Sequence, residues 1–325
     1  YDTITTPNAT ENPCKIFERI VPPKIVAKHY TYEHMTLHPF RLTPQYHERI
    51  WGGTRFKQDD KKIGEAWIVH EDNVIADGDH SGLALKQLAA SHAVELLGAR
   101  TLDRTGKRFP LLIKLLDPAD WLSLQVHPND EQAKRLEGEN YFGKTEAWHI
   151  LEADPNAQLI AGLKANTSAE ALRQTIRDGT IFEHVQYLSV NQGDTIFIRA
   201  GTIHALGPGL FLYEIQQTSD LTYRVFDWDR PQTNGRVLHI EKSLAVADPS
   251  AIGQASRQPQ LNDGDVKTLV RCEYFSLDLI GGESKSISLN TRGESFHALT
   301  IREGAARIEG DGWSHALQRL ETLIV

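Results

Sequence analysis

Four side chains in three short stretches have the donor types of a metal site. Gln125 and His127 lie in Leu122-Ser-Leu-Gln-Val-His127, Glu146 in Gly143-Lys-Thr-Glu-Ala-Trp148, and His204 in Ala200-Gly-Thr-Ile-His-Ala205. The first stretch alternates: Leu122, Leu124 and Val126 fall on one face of a strand, Ser123, Gln125 and His127 on the other. Three polar groups on one face in apolar surroundings call for a ligand, water or a metal. A lone histidine before Pro128 is more often a hydrogen-bonded core residue. Here Gln125 shares its face, and Glu146 and His204 add a carboxylate and a second imidazole. Two nitrogens and two oxygens make a borderline-hard set, for which zinc is the default and manganese, iron or cobalt are substitutes.

A second constellation is cationic. Lys114 interrupts the apolar run Leu111-Leu-Ile-Lys-Leu-Leu116, where a lysine is costly unless it is paired or faces a cavity. Lys144 stands two residues before Glu146, and Arg224 sits in the aromatic-rich Thr222-Tyr-Arg-Val-Phe-Asp-Trp228. Each has a structural explanation as a salt-bridged cation. Together, with Ser123 on the metal-facing side of its strand, they read as an anion pocket suited to phosphate. Glu214, on an otherwise apolar strand face, and Asp220 read either as acid–base groups or as partners for these cations.

The elements that must position these groups are mostly short strands. Segments 109–116, 122–127, 147–151, 159–163, 195–198, 210–215 and 223–228 fit strands, as do 274–280, 286–289, 297–301 and 305–309, with Gly, Asp, Asn and Pro between them. Helical signals are few. Segment 83–97 ends at Gly98, and Thr167-Ser-Ala-Glu170 reads as a capping box opening a helix that stops at Gly179. Many short strands favour a β-sandwich or barrel.

The 325 residues suggest two domains, and the composition is that of a globular protein. A net charge of −8 with no basic block excludes a nucleic-acid binder, and no apolar run reaches membrane-spanning length. Cys14 and Cys272, far apart, are expected to be reduced, as in a cytoplasmic protein. Residues 1–34 carry no secretory h-region and are expected to be accessory, with the folded protein starting near Met35, the chain's single methionine. The chain stops within the apolar Leu323-Ile-Val325, so truncation is expected there. The polar segment 248–265 is expected to link a catalytic domain (35–247) to a smaller β domain (248–325).

Taken in order, several motifs resemble one family. They are Ile50-Trp-Gly-Gly53, Pro110-Leu-Leu-Ile-Lys-Leu-Leu116, Leu122-Ser-Leu-Gln-Val-His-Pro128, Gly143-Lys-Thr-Glu-Ala-Trp148, Gly201-Thr-Ile-His-Ala-Leu206 and Ser219-Asp-Leu-Thr-Tyr-Arg-Val-Phe-Asp-Trp228. This pattern is similar to type I mannose-6-phosphate isomerases of the shorter bacterial form. The resemblance implies a mainly β fold: a cupin (jelly-roll) barrel with short helical segments, followed by a second cupin-like β domain. It implies a zinc-dependent aldose–ketose isomerase acting on a phosphorylated hexose, a monomer or weak homo-oligomer. Gln125, His127, Glu146 and His204 would hold the zinc, and Arg224 would be the active-site arginine. Lys114, Lys144 and Ser123 would line the substrate site, with Glu214 and Asp220 nearby. Two other readings are a non-catalytic sugar-binding or regulatory cupin and a cupin oxygenase; the Gln/Glu-containing donor set fits the latter poorly.

Overall fold

The computed structural model describes residues 37–57, 60–232 and 235–325, together with the backbone of Lys24–Ala27. Two sheets dominate. In the larger, the order is Ala255–Ser256, Thr195–Ile198, Glu146–Ala153, Leu210–Gln217, Leu111–Leu116, Ile63–Val69 and Gln45–Gly53. In the smaller it is Tyr223–Phe226, Leu124–Val126, His204–Leu206, Gln158–Leu163 and Val185–Ser189. All pairings within both are antiparallel. This is the jelly-roll barrel of a cupin.

The central strands of each sheet are buried on both faces, which explains why they are apolar. Leu116, Trp148, Ile150, Leu159, Ile196, Ile198 and Leu212 fill the space between the sheets. Behind the larger sheet, Ile113, Leu115, Leu151, Tyr213 and Ile215 pack against Val270 and Phe275. Behind the smaller, Leu124, Val126 and Ile160 pack against Leu172 and Ile176 of the helix Ala169–Asp178 and Val246 of Ile240–Val246.

The C-terminal segment is also β. Val266–Arg271 and Ser276–Ile280 form a hairpin, and Ala305–Gly310 pairs with Trp313–Gln318. Lys24–Ala27 runs parallel to both Ile287–Leu289 and Ala305–Gly310. Thr322–Ile324 lies between Ala298–Thr300 and Phe40–Arg41. Ala255–Ser256, inside the segment read as a link, joins the edge of the larger sheet at Thr195 and Ile196.

The expected strands are present with shifted ends, and more exist than were read from sequence, among them Gln45–Gly53, Ile63–Val69, Val185–Ser189, His204–Leu206, Val266–Arg271 and Trp313–Gln318. The single helix read over 83–97 is two, Leu85–Ser91 and Ala93–Leu97, broken where His92 adopts a non-helical φ of −127° and ψ of 47°. The other helix is capped by Ser168, which accepts from Ala171 N, rather than by Thr167, whose hydroxyl bonds Lys164 O. Helices Ala99–Thr105, Asp130–Glu137 and Ile240–Val246 were not anticipated. The readings for Cys14, Met35 and most of residues 1–34 lie outside the described residues; Cys272 is a free thiol.

Candidate active site

The barrel lumen is built in rows. Trp67 registers with Lys114, Lys114 with Glu214, and Glu214 with Trp148, so four strands contribute one row across the larger sheet. One step along, Gln216 registers with Glu146. From the facing sheet, His204 registers with Gln125, and Gln125 with Arg224. Directly paired residues share a face, so the lumen collects side chains that are far apart in sequence.

His127, Glu146 and His204 offer ligand atoms that all lie within 4.8 Å of one another, and all three residues are buried. Glu146 Oε1 is 3.3 Å from His204 Nε2, and Oε2 is 3.6 Å from His127 Nε2. His127 Nδ1 donates to Leu221 O and His204 Nδ1 to Thr202 O, each at 2.8 Å. A carbonyl only accepts, so both protons sit on Nδ1 and both Nε2 lone pairs face Glu146. Metal-binding histidines are commonly oriented in this way. Gln125 completes the group, with Nε2 3.2 Å from His204 Nε2; a half-turn of the amide puts its oxygen there instead. Gly201, at φ +86°, lets the chain turn sharply before His204 enters the lumen.

The chemistry of this set fits a divalent cation. His127 Nε2 and both Glu146 oxygens are buried without a hydrogen bond of good geometry. Burial pushes the Glu146 carboxyl up, and the Glu214 charge adds to this against the opposing pull of Lys144, whose Nζ stands 3.1 Å from Oε2. Burial also lowers both imidazoles, His204 to about 4 and His127 well below its ordinary value, so both are neutral ligands at pH 7. A buried carboxyl facing two neutral imidazoles has more acceptor capacity than its protein neighbours satisfy, and a cation would supply what is missing.

Beside this group lies a charged row. Lys114 Nζ is 3.1 Å from Glu214 Oε1 and 3.9 Å from Asp220, and 5.5 Å from the Trp67 ring centroid. Burial would lower Lys114, but Glu214, Glu65 and Asp220 raise it, so it stays charged. Glu214 also accepts from Trp148 Nε1 at 2.9 Å. Burial raises its carboxyl, yet Lys114, Lys144 and the indole bring it below its ordinary value. Ser123 is buried on the lumen side, while Asp220 is exposed. Arg224 Nη1 donates to Gly235 O and Val237 O at 3.2 Å, and its Nε has no hydrogen-bond partner among the described residues. His127, Glu146 and His204 therefore converge, with Gln125, Lys144, Lys114 and Glu214 beside them, whereas Asp220 lies exposed and Arg224 bonds the Gly235 and Val237 carbonyls.

Glu65 and Trp67 were not read from sequence as part of this site, beyond Trp67 as a core anchor. Glu65 accepts from Arg49 Nε at 2.8 Å and Trp67 Nε1 at 2.7 Å. The period-2 spacing of Glu65 and Trp67 in Ile63-Gly-Glu-Ala-Trp-Ile-Val69 was the available signal. Burial pushes the Glu65 carboxyl up, but Lys114, Arg49 and the two hydrogen bonds outweigh this and bring it from 4.5 to about 2. A carboxyl that is a stronger acid folded than unfolded stabilises the fold above its unfolded value; that stability is lost as pH falls through the folded value. Glu65→Gln is expected to flatten the fall in melting temperature between pH 4.5 and about 2. An unchanged acid limb would place the acid sensitivity elsewhere.

Residues 39–149 match the family described as phosphomannose isomerase type I, catalytic domain. The chain is 36% identical over 287 residues to mannose-6-phosphate isomerase ManA of Bacillus subtilis, covering 84% of this chain and 88% of that one. It is 40% identical over 220 residues to a mannose-6-phosphate isomerase of Streptococcus mutans, covering 64% and 67% respectively. The crystal structure of the mannose 6-phosphate isomerase from Bacillus subtilis superposes with a TM-score of 0.76 at 33% identity, over 88% of this chain and 93% of that one. With the barrel, the converging His, Glu and His, and these likenesses together, the chain belongs to the type I mannose-6-phosphate isomerase family, aldose–ketose isomerases built on a cupin fold.

Proposed function

We propose that this lumen interconverts mannose 6-phosphate and fructose 6-phosphate, with zinc held by Gln125, His127, Glu146 and His204. The observation that carries the reading is the buried convergence of His127, Glu146 and His204 beside Lys144. A cation bound there would supply Lewis acidity to the sugar oxygens as charge develops on them.

The proton leaves C2 of the open-chain aldose, giving an enediolate across C1 and C2. Its return to C1, with the hydroxyl proton passing from O2 to O1, gives the ketose. Of the two side chains that could serve as the base, Lys144 and Glu214, Glu214 accepts from both Lys114 and Trp148, and those bonds weaken it as a base. Lys144 pairs only with Glu146 among the ion pairs described, and we assign it the proton transfer. Arg224, through its unpaired Nε, meets developing oxyanion charge, while Ser123, Lys114 and Asp220 hold the sugar phosphate. The division at residue 247 belongs to the same proposal: the barrel carries the chemistry, and 248–325 is a smaller cupin-like unit packed behind it.

A coupled assay for fructose 6-phosphate tests this directly. Turnover of mannose 6-phosphate is expected to vanish with a chelator and return with added zinc. Binding of the sugar phosphate without turnover, in zinc-loaded protein, would instead identify a non-catalytic sugar-binding cupin.

A further inference from the structure

Lys144 precedes the strand Glu146–Ala153 and is held by its surroundings. Its N–H donates to Pro128 O at 2.9 Å, Gly143 N to Asp130 Oδ1 at 2.7 Å, and Thr145 N to Gln217 Oε1 at 2.9 Å. Gly143 approaches so closely that a Cβ there would lie 2.5 Å from Asn129 C and 2.6 Å from Asp130 N. Asp130, the first residue of the helix Asp130–Glu137, is the hub. Its Oδ1 also accepts from Gln217 Nε2, and its Oδ2 from the Tyr274 hydroxyl, each at 3.0 Å. Tyr274 lies far along the chain, in the turn between Val266–Arg271 and Ser276–Ile280, outside the barrel. Its ring lies 5.6 Å from the Arg104 guanidinium, and Arg104 in turn bonds Glu273.

A carboxylate bonded through one oxygen can still rotate; one bonded through both is fixed in plane. We infer that Tyr274 is a positioning residue for the isomerase reaction, holding Asp130 and, through Gly143 and Gln217, the backbone from which Lys144 and Glu146 enter the lumen. The C-terminal hairpin thereby contributes to a site that it does not touch. The inference rests on the role assigned to Lys144.

Tyr274→Phe removes the hydroxyl and keeps the ring. In the zinc-loaded full chain it is expected to lower kcat about fivefold to tenfold, with KM within about twofold and metal content unchanged. In an Asp130→Ala background the same change should have no further effect on kcat. A lower melting temperature with unchanged kcat in Tyr274→Phe would overturn the inference and leave only a structural role. So would an equal loss of kcat with and without Asp130. If Asp130→Ala does not fold, kcat of Tyr274→Phe decides alone. Full turnover in Lys144→Met would fault the assignment of Lys144, which the Tyr274 and Asp130 pair does not address.

Discussion

Alanine at His127 or at His204 is expected to remove metal and turnover together. Each imidazole is buried and presents its Nε2 to Glu146, with Nδ1 anchored to a main-chain carbonyl. Truncation leaves a donor set too small for tight binding and a cavity beside an uncompensated carboxyl. Loss of Lewis-acid assistance, worth several kcal/mol, corresponds to at least roughly a thousandfold in kcat. Metal analysis of the purified variants, read beside the coupled assay, checks it. Full metal content in either variant would remove that histidine from the ligand set.

Lys144→Met is expected to give the opposite pattern, with metal retained and turnover lost by about a hundredfold to ten thousandfold, the usual range for removing a positioned base. Methionine keeps the unbranched apolar stem of lysine and lacks only its terminal amine, so packing along the buried stem changes little. Arg224→Ala should also keep metal and lose turnover. Its guanidinium contacts the Gly235 and Val237 carbonyls and none of the four proposed ligands. If Glu214→Gln lost far more activity than Lys144→Met, the proton transfer would pass to Glu214.

Much of this site was legible because polar lumen residues interrupt otherwise apolar strands. Residues 123–127 alternate, since Leu124 and Val126 face the outer helices and Ser123, Gln125 and His127 the lumen, and that alternation exposed the three polar residues. Lys114 was legible as a charge in an apolar run. Ile63–Val69 was not, because all seven of its residues are buried on one face or the other, which erases the alternation and hid Glu65 and Trp67. Ile240–Val246 begins at His239 with no side-chain cap, so its start carries no local signal. Asp130–Glu137 is a different case. Its Asn129 and Gln132 form a reciprocal capping box whose residues are present in the sequence. The carbonyls of Thr202 and Leu221 that orient the imidazoles are main-chain groups, which no residue identity reveals.

Phe40 pairs with Ile324, so two strands from opposite ends of the described chain are hydrogen-bonded neighbours. Closing a loop of roughly 280 residues is entropically demanding and cannot begin until the partner strand has been made. During synthesis, the Phe40–Arg41 edge must therefore wait beside a growing barrel for a partner that is made much later. In that interval the nascent protein carries an open edge able to recruit a strand from another chain.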